Sequence, residues 1–201
     1  MFIAETGLLM APLVRRTWAP RGQTPILYQR TRSHDKVSVI GALTLSPRSG
    51  GIGLYFALLP AENGERRPLA PLPADFRRHL QRPQVVVWDR LAAHRAREVR
   101  EALDRSGRVH LAFLPPYAPE LNPVEMLWSY LKTNPLANHP ATDPHHLSER
   151  ARRAFQDLRR RPNLLRSFLR TTRLLHACDR TLVMRASVEV VSFACELPVF
   201  L

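Results

Sequence analysis

Three stretches in the first third of the chain carry short apolar or β-branched runs separated by turn-forming residues. Phe2 to Leu9 is short and apolar, Lys36 to Leu45 holds Val37, Val39 and Ile40, and Ile52 to Leu59 follows a Ser- and Gly-rich turn at 46–51. β-Branched side chains fit the pleated surface of a sheet, and runs of this length between turns read as strands. The pattern predicts three strands in an antiparallel meander. The connection from Arg15 to Gln23 is polar and punctuated by Pro20 and Gly22.

The texture changes after Leu59. The stretch 62–73 is charged and Pro-rich and reads as a surface loop, and 74–81 reads as a short helix. Gln84 to Trp88 is apolar on both faces, the pattern of a buried parallel strand. His94 to Ser106 reads as a helix, with Val99 and Leu103 four apart and Gly107 placed to close it. Val109 to Leu114 repeats the buried-strand pattern. Pro123 opens a helix at the position where its missing N–H costs nothing. Val124, Leu127, Trp128 and Leu131 form the apolar stripe of that helix. Leu147 to Arg161 predicts a very basic helix ended by Pro162, and Asn163 to Leu175 a further helical stretch. The tail from Leu182 to Leu201 is apolar and partly β-branched and gives no clear element. The order β-β-β-α-β-α-β-α, followed by helices, predicts an α/β domain.

A chain of 201 residues with 45% apolar content has room for one cored domain. Its apolar runs are too short to span a bilayer, so no membrane association is expected. The start, Met1 to Glu5, lacks the basic and long apolar regions of a signal peptide, which leaves the cytoplasm as the expected location. Cys178 and Cys195 lack metal-site spacing and are expected to be free thiols. Charge changes the picture more. Lys plus Arg number 30 against 17 Asp plus Glu, a net charge of +13, and nearly all the cations are Arg. A GC-rich coding sequence accounts for the choice of Arg over Lys but not for the excess of positive charge. Such a field suits a polyanion, most simply nucleic acid.

Two carboxylates stand where chemistry gathers. Asp89 follows an all-apolar strand, at the carboxyl end where α/β sheets collect ligands. It serves equally well as a cap for a following helix. Glu125 lies in the first turn of the helix opened by Pro123, where the helix dipole alone justifies a negative charge. From the residues themselves both readings stay open.

The motifs around them resemble the DDE transposases of the mariner-like bacterial insertion-sequence group. The resemblance is carried by Trp88-Asp89-Arg90-Leu91-Ala92-Ala93-His94, by Pro115-Pro116-Tyr117-Ala118-Pro119-Glu120-Leu121-Asn122-Pro123-Val124-Glu125 and by Leu127-Trp128-Ser129-Tyr130-Leu131-Lys132. The runs Thr17 to Pro25 and Val37 to Leu43 are similar to the same family. The likeness extends from about Phe2 to about Leu175. It implies an RNase H-like mixed β-sheet flanked by helices, a catalytic domain over 1–175 and an atypical tail over 176–201. It implies metal-dependent DNA strand cleavage and transfer, with Asp89 and Glu125 as catalytic metal ligands; 35 residues lie between them. Mg²⁺ or Mn²⁺ is the implied cofactor, because hard cations held about 4 Å apart by clustered carboxylates activate the attacking oxygen and stabilise the leaving one. DNA is the implied partner, with a homodimer or a separate helix-turn-helix chain as the protein partner.

The chain departs from that family pattern at the first carboxylate. The family's Phe-x-Asp-Glu-x-Gly is Phe2-Ile3-Ala4-Glu5-Thr6-Gly7 here, so Ala4 holds the aspartate slot. Adjacent side chains on a strand point to opposite faces, so Glu5 is expected to face away from Asp89 and Glu125. Metal binding is then expected to be weakened and activity impaired. The helix-turn-helix that usually precedes this domain does not occur within these residues, so recognition of transposon ends is expected to be absent. Arg90 replaces a frequent Asn.

In the basic helix, Arg150, Arg152, Arg153, Arg159 and Arg160 form a candidate phosphate-contacting surface, against the plainer reading of a solvated face. His139, His145 and His146 lack zinc spacing, and His94 reads as structural or supporting. Trp18, Trp88 and Trp128 are expected in the core. Two functions follow: a transposase catalytic domain with impaired chemistry, or a non-catalytic DNA-binding or transposase-associating remnant. An aggregation-prone fragment without a role is the weaker third.

Overall fold

The computed structural model describes residues 1–28, 36–46, 49–60, 84–88 and 109–172. Five strands form one sheet: β1 (Phe2–Leu9), β2 (Lys36–Leu45), β3 (Ile52–Pro60), β4 (Gln84–Trp88) and β5 (Val109–Phe113). Their spatial order is β3-β2-β1-β4-β5. The first three form the antiparallel meander that the β-branched runs predict. β4 runs parallel to β1, and β5 parallel to β4. The sheet is therefore mixed, with β1 at the junction of its two halves. Among the described residues, three helices follow a 3-10 turn at Pro119–Leu121: α1 (Pro123–Thr133), α2 (Pro144–Arg159) and α3 (Pro162–Thr171). The expected helices at 74–81 and 94–106 and the tail, with both cysteines, lie outside the described residues, as do Asp89, Arg90 and His94.

Side-chain alternation divides the sheet cleanly. Ala4 and Leu8 of β1, Val37, Val39 and Leu43 of β2, and Leu54 of β3 point to one face, where α1 and α2 cover them. Ile3, Ile40, Ala42, Val86 and Trp88 pack together on the other face. The covered face is dominated by aromatic packing. Phe155 of α2 stacks on Phe56 of β3 with ring centroids 4.2 Å apart and meets Trp128 of α1 edge-on at 6.1 Å. Trp128 lies so close over β2 that a Cβ on Gly41 would come within 2.5 Å of its ring. Only a residue without a side chain fits there.

Each helix begins with proline in its first turn. Asn122 caps α1 and Asp143 caps α2 through side-chain oxygens that accept backbone N–H bonds. This corrects the expected boundaries of the basic helix. It starts at Pro144, because Asp143 supplies the cap, and ends at Arg159. Arg160 and Arg161 form a tight turn back to Asp157 and Leu158. Pro162 opens α3 rather than merely ending α2.

Two burial expectations also change. Trp18 is fully exposed, on a connection after β1 that carries no regular structure, whereas Trp88 and Trp128 are buried as expected. Val85 is 50% exposed, so β4 is not buried on both faces along its whole length. No described helix is long and apolar enough to cross a membrane.

Candidate active site

β1 and β4 are paired with Ile3 opposite Trp88. Each of these residues stands one position before a key one, Ala4 in β1 and Asp89 after β4. The backbone of Leu114 donates to the Trp88 carbonyl at 2.9 Å, so the segment leaving β5 is tied to the end of β4. From there the chain runs through Pro115, Pro116 and Pro119 to α1 and Glu125. The carboxyl ends of two parallel strands and the start of a helix therefore meet beside β1, the arrangement in which α/β proteins place sites.

Asn122 fixes this junction. Its side-chain oxygen accepts the backbone N–H of Val124 at 3.1 Å, and its Nδ2 donates to the Ile3 carbonyl at 3.0 Å. Asn122 is 1% exposed, and both ends of its amide are satisfied. One side chain thus caps α1 and bolts the helix to β1 one residue before Ala4. Further along, Lys132 Nζ donates to Thr6 Oγ1 at 2.7 Å. Thr6 shares its face with Ala4, so α1 lies along that side of β1.

Ala4 is fully buried on the face covered by α1, opposite Gly41 in the β1–β2 pair. Its methyl group joins the apolar core where the sequence pattern places a carboxylate. Glu5 is paired with Ile40, a residue of the opposite face, and is exposed. The alternation thus turns Glu5 away from α1. Glu125, in the first turn of α1, is half-buried. Among the described residues no group of three His, Cys, Asp or Glu side chains converges. Those residues do not include Asp89; on β1 the first position of the pattern holds the methyl group of Ala4.

The five candidate arginines, four in α2 and Arg160 just after it, do not share one environment. Arg159 is exposed but lies back over β3, with Nε donating to the Leu54 carbonyl at 2.8 Å and the guanidinium 4.9 Å from the Phe56 ring centroid. Arg150 is half-buried. Burial first and the Arg150 charge second hold His139 below its ordinary value of 6.5. Arg152 pairs with Glu149 at 3.3 Å and Arg160 with Asp157 at 3.6 Å, both as exposed neighbours. Arg152, Arg153 and Arg160 remain on the solvent side.

Sequence reasoning missed two features. Asn122 was legible only as part of a motif, although Asn before Pro at a helix start is a capping signal. Asn138, at φ +57°, gave no signal. Its side chain accepts from Arg15 N at 2.7 Å and donates to Arg15 O at 2.9 Å, while Arg15 also donates to the Thr133 carbonyl at 2.9 Å. These bonds hold the start of the exposed connection after β1 against the end of α1.

The sequence pattern of the family described as DDE superfamily endonuclease matches residues 1–148. No curated protein matches the chain in sequence. Among solved structures, the fold is similar to that of the Mos1 mariner paired-end complex with Mn, at a TM-score of 0.58 and 18% identity over 90% of this chain and 54% of that one. The Mos1 paired-end complex with left transposon end gives 0.56 and 17%, over 90% of this chain and 53% of that one. The Mos1 strand transfer complex gives 0.52 and 17% over the same shares. The chain thus spans about half the length of these transposase chains, and at such identities the likeness is one of fold.

Proposed function

The chain belongs to the DDE superfamily endonucleases, and from that membership we propose that it is the RNase H-like catalytic domain of a mariner-like DNA transposase whose chemistry is impaired at the first carboxylate. The observation that carries this reading is the Asn122 bolt. It brings the start of the Glu125 helix onto β1 beside Ala4, where the strand offers a methyl group. Asp89 and Glu125 are the residues we assign to metal binding and catalysis. In this fold Mg²⁺ or Mn²⁺ would supply Lewis-acid stabilisation of a phosphodiester. With two carboxylates in place of three, we expect weak metal binding and little strand cleavage or transfer. DNA is the proposed partner, supported by the net charge of +13 and by the exposed arginines of α2.

The second reading, a non-catalytic remnant that holds DNA or joins an intact transposase, is favoured by one observation. Ala4 is fully buried in the apolar core, an environment that suits a methyl group better than a carboxylate. Nicking of supercoiled DNA by the purified chain in Mn²⁺ separates the two. We expect no nicking by the natural chain and measurable nicking by Ala4→Asp. Robust nicking by the natural chain would overturn the impairment, and an inert Ala4→Asp that folds and binds Mn²⁺ would favour the remnant.

A further inference from the structure

Trp128 is buried, yet its indole N–H has no acceptor, one of three buried side-chain nitrogens in that condition among the described residues. A buried donor left unpaired costs the folded chain its desolvation and calls for a reason. Trp88 Nε1 shares the condition, but that residue packs on the opposite face of the sheet. Trp128 packs on the face of Ala4.

One rung of the sheet sets the place of that donor. Ala4 of β1 lies opposite Gly41 of β2, and Gly41 opposite Phe56 of β3. Phe155 stacks on Phe56 and so fills the β3 end of the rung. A Cβ on Gly41 would strike Cη2 and Cζ2 of Trp128, at 2.5 and 2.9 Å, so the indole reaches β2 with the far end of its six-membered ring. The helix that carries it, α1, lies along β1, tied there through Asn122 to Ile3 and through Lys132 to Thr6. The five-membered ring with Nε1 therefore falls back from Gly41 toward β1. Neighbouring strands are about 4.8 Å apart, close to the reach of an indole. The residue of β1 on that rung is Ala4, whose buried methyl group cannot accept.

We infer that Trp128 is a positioning residue: its indole N–H is set to hold a carboxylate at position 4, and Ala4 leaves that donor without its acceptor. The inference rests on the reading of position 4 as the first carboxylate of the site and adds to it the group that orients that carboxylate. An indole N–H only donates, so it competes for no cation. It would take one oxygen of the carboxylate and fix the side chain. Gly41 serves the same end, because the missing Cβ lets the indole come down onto the rung.

The test is a double-mutant cycle in urea unfolding of the full chain without metal, read together with the indole N–H proton resonances. Trp128→Phe, which keeps a ring and loses the N–H, is made in the natural chain, in Ala4→Asp and in Ala4→Asn. Asn accepts the same bond without a charge, so it carries the cycle if Asp prevents folding. In the natural chain the Trp128 proton should resonate upfield, as a donor without an acceptor. In both position-4 variants it should move downfield while those of Trp18 and Trp88 stay. Trp128→Phe should lower the folding equilibrium constant about tenfold more in those variants than in the natural chain, the size of one buried hydrogen bond. A ring that only packs gives the same loss in every background and no shift in resonance. Zero coupling with an unmoved resonance overturns the assignment. A downfield resonance in the natural chain also overturns it, since the donor would already be satisfied. Coupling in Ala4→Asp without stabilisation by Mn²⁺ upholds the bond and overturns the metal-site reading beneath it.

Discussion

Asn122 Nδ2 lies 3.0 Å from the carbonyl oxygen of Ile3, although 119 residues separate them in the chain. The bond joins the first strand to the helix of Glu125, and the same side chain caps that helix. Two duties on one buried amide make its loss costly. Asn122→Ala should lower stability by about 2–3 kcal/mol, from the lost cap and from a buried carbonyl left without its donor. Asn122→Asp keeps the cap but cannot donate to Ile3, so in chemical denaturation it should fall between the two. An Asp variant as stable as the natural chain would mean that the Ile3 bond contributes nothing.

Gly41→Ala places a methyl group into the ring of Trp128, which lies against β2. A loss of about 1–3 kcal/mol is expected from overpacking. Near-ultraviolet circular dichroism should report the displaced indole. A neutral substitution would show that the helix shifts without penalty.

The arginines of α2 should separate into two classes. Arg159→Ala removes the bond to Leu54 and the contact with Phe56, so it should cost about 1–2 kcal/mol of stability. Arg153→Ala should leave the melting temperature unchanged and reduce the salt slope of DNA binding by about one. Equal behaviour of the two variants in both assays would remove the distinction.

Much of this arrangement is legible in the amino-acid order. The β-branched alternation of Val37 and Val39 gives β2 its covered face, and the spacing of Val124, Leu127, Trp128 and Leu131 gives α1 its stripe. Alternation alone also turns Glu5 away from α1. What stayed hidden depends on partners far away in sequence. Arg159 reads as one more surface cation until β3 is seen to supply a carbonyl and a ring. Trp18 reads as core because an indole usually repays burial, yet the connection after β1 leaves it in solvent. Pro162 reads equally as the end of one helix or the start of the next, and only the bonds around Arg160 and Arg161 decide.

Asp143 caps α2, and the backbone N–H of His146, followed by the Thr142 hydroxyl, holds its carboxyl below the ordinary value of 3.8. A folded value below the unfolded one means that the cap is fully effective above pH 3.8 and is lost as pH falls through the lower folded value. Asp143→Asn still accepts the bond but does not titrate. Its unfolding free energy should lack that acid-limb contribution, which paired pH titrations of stability would show. Identical acid limbs would rule out the cap as their source.

The central claim concerns Ala4, and thermal unfolding of the natural chain and of Ala4→Asp, each with and without Mn²⁺, tests it most directly. Without metal, a carboxylate in place of the buried methyl group should lower stability by about 2–4 kcal/mol. An ion that binds only the folded chain must raise its stability, by about 2.7 kcal/mol at a hundred times its dissociation constant. The account predicts that Mn²⁺ restores Ala4→Asp and leaves the natural chain unmoved. A natural chain stabilised by Mn²⁺ as strongly as the variant would contradict it and make the active nuclease the better description.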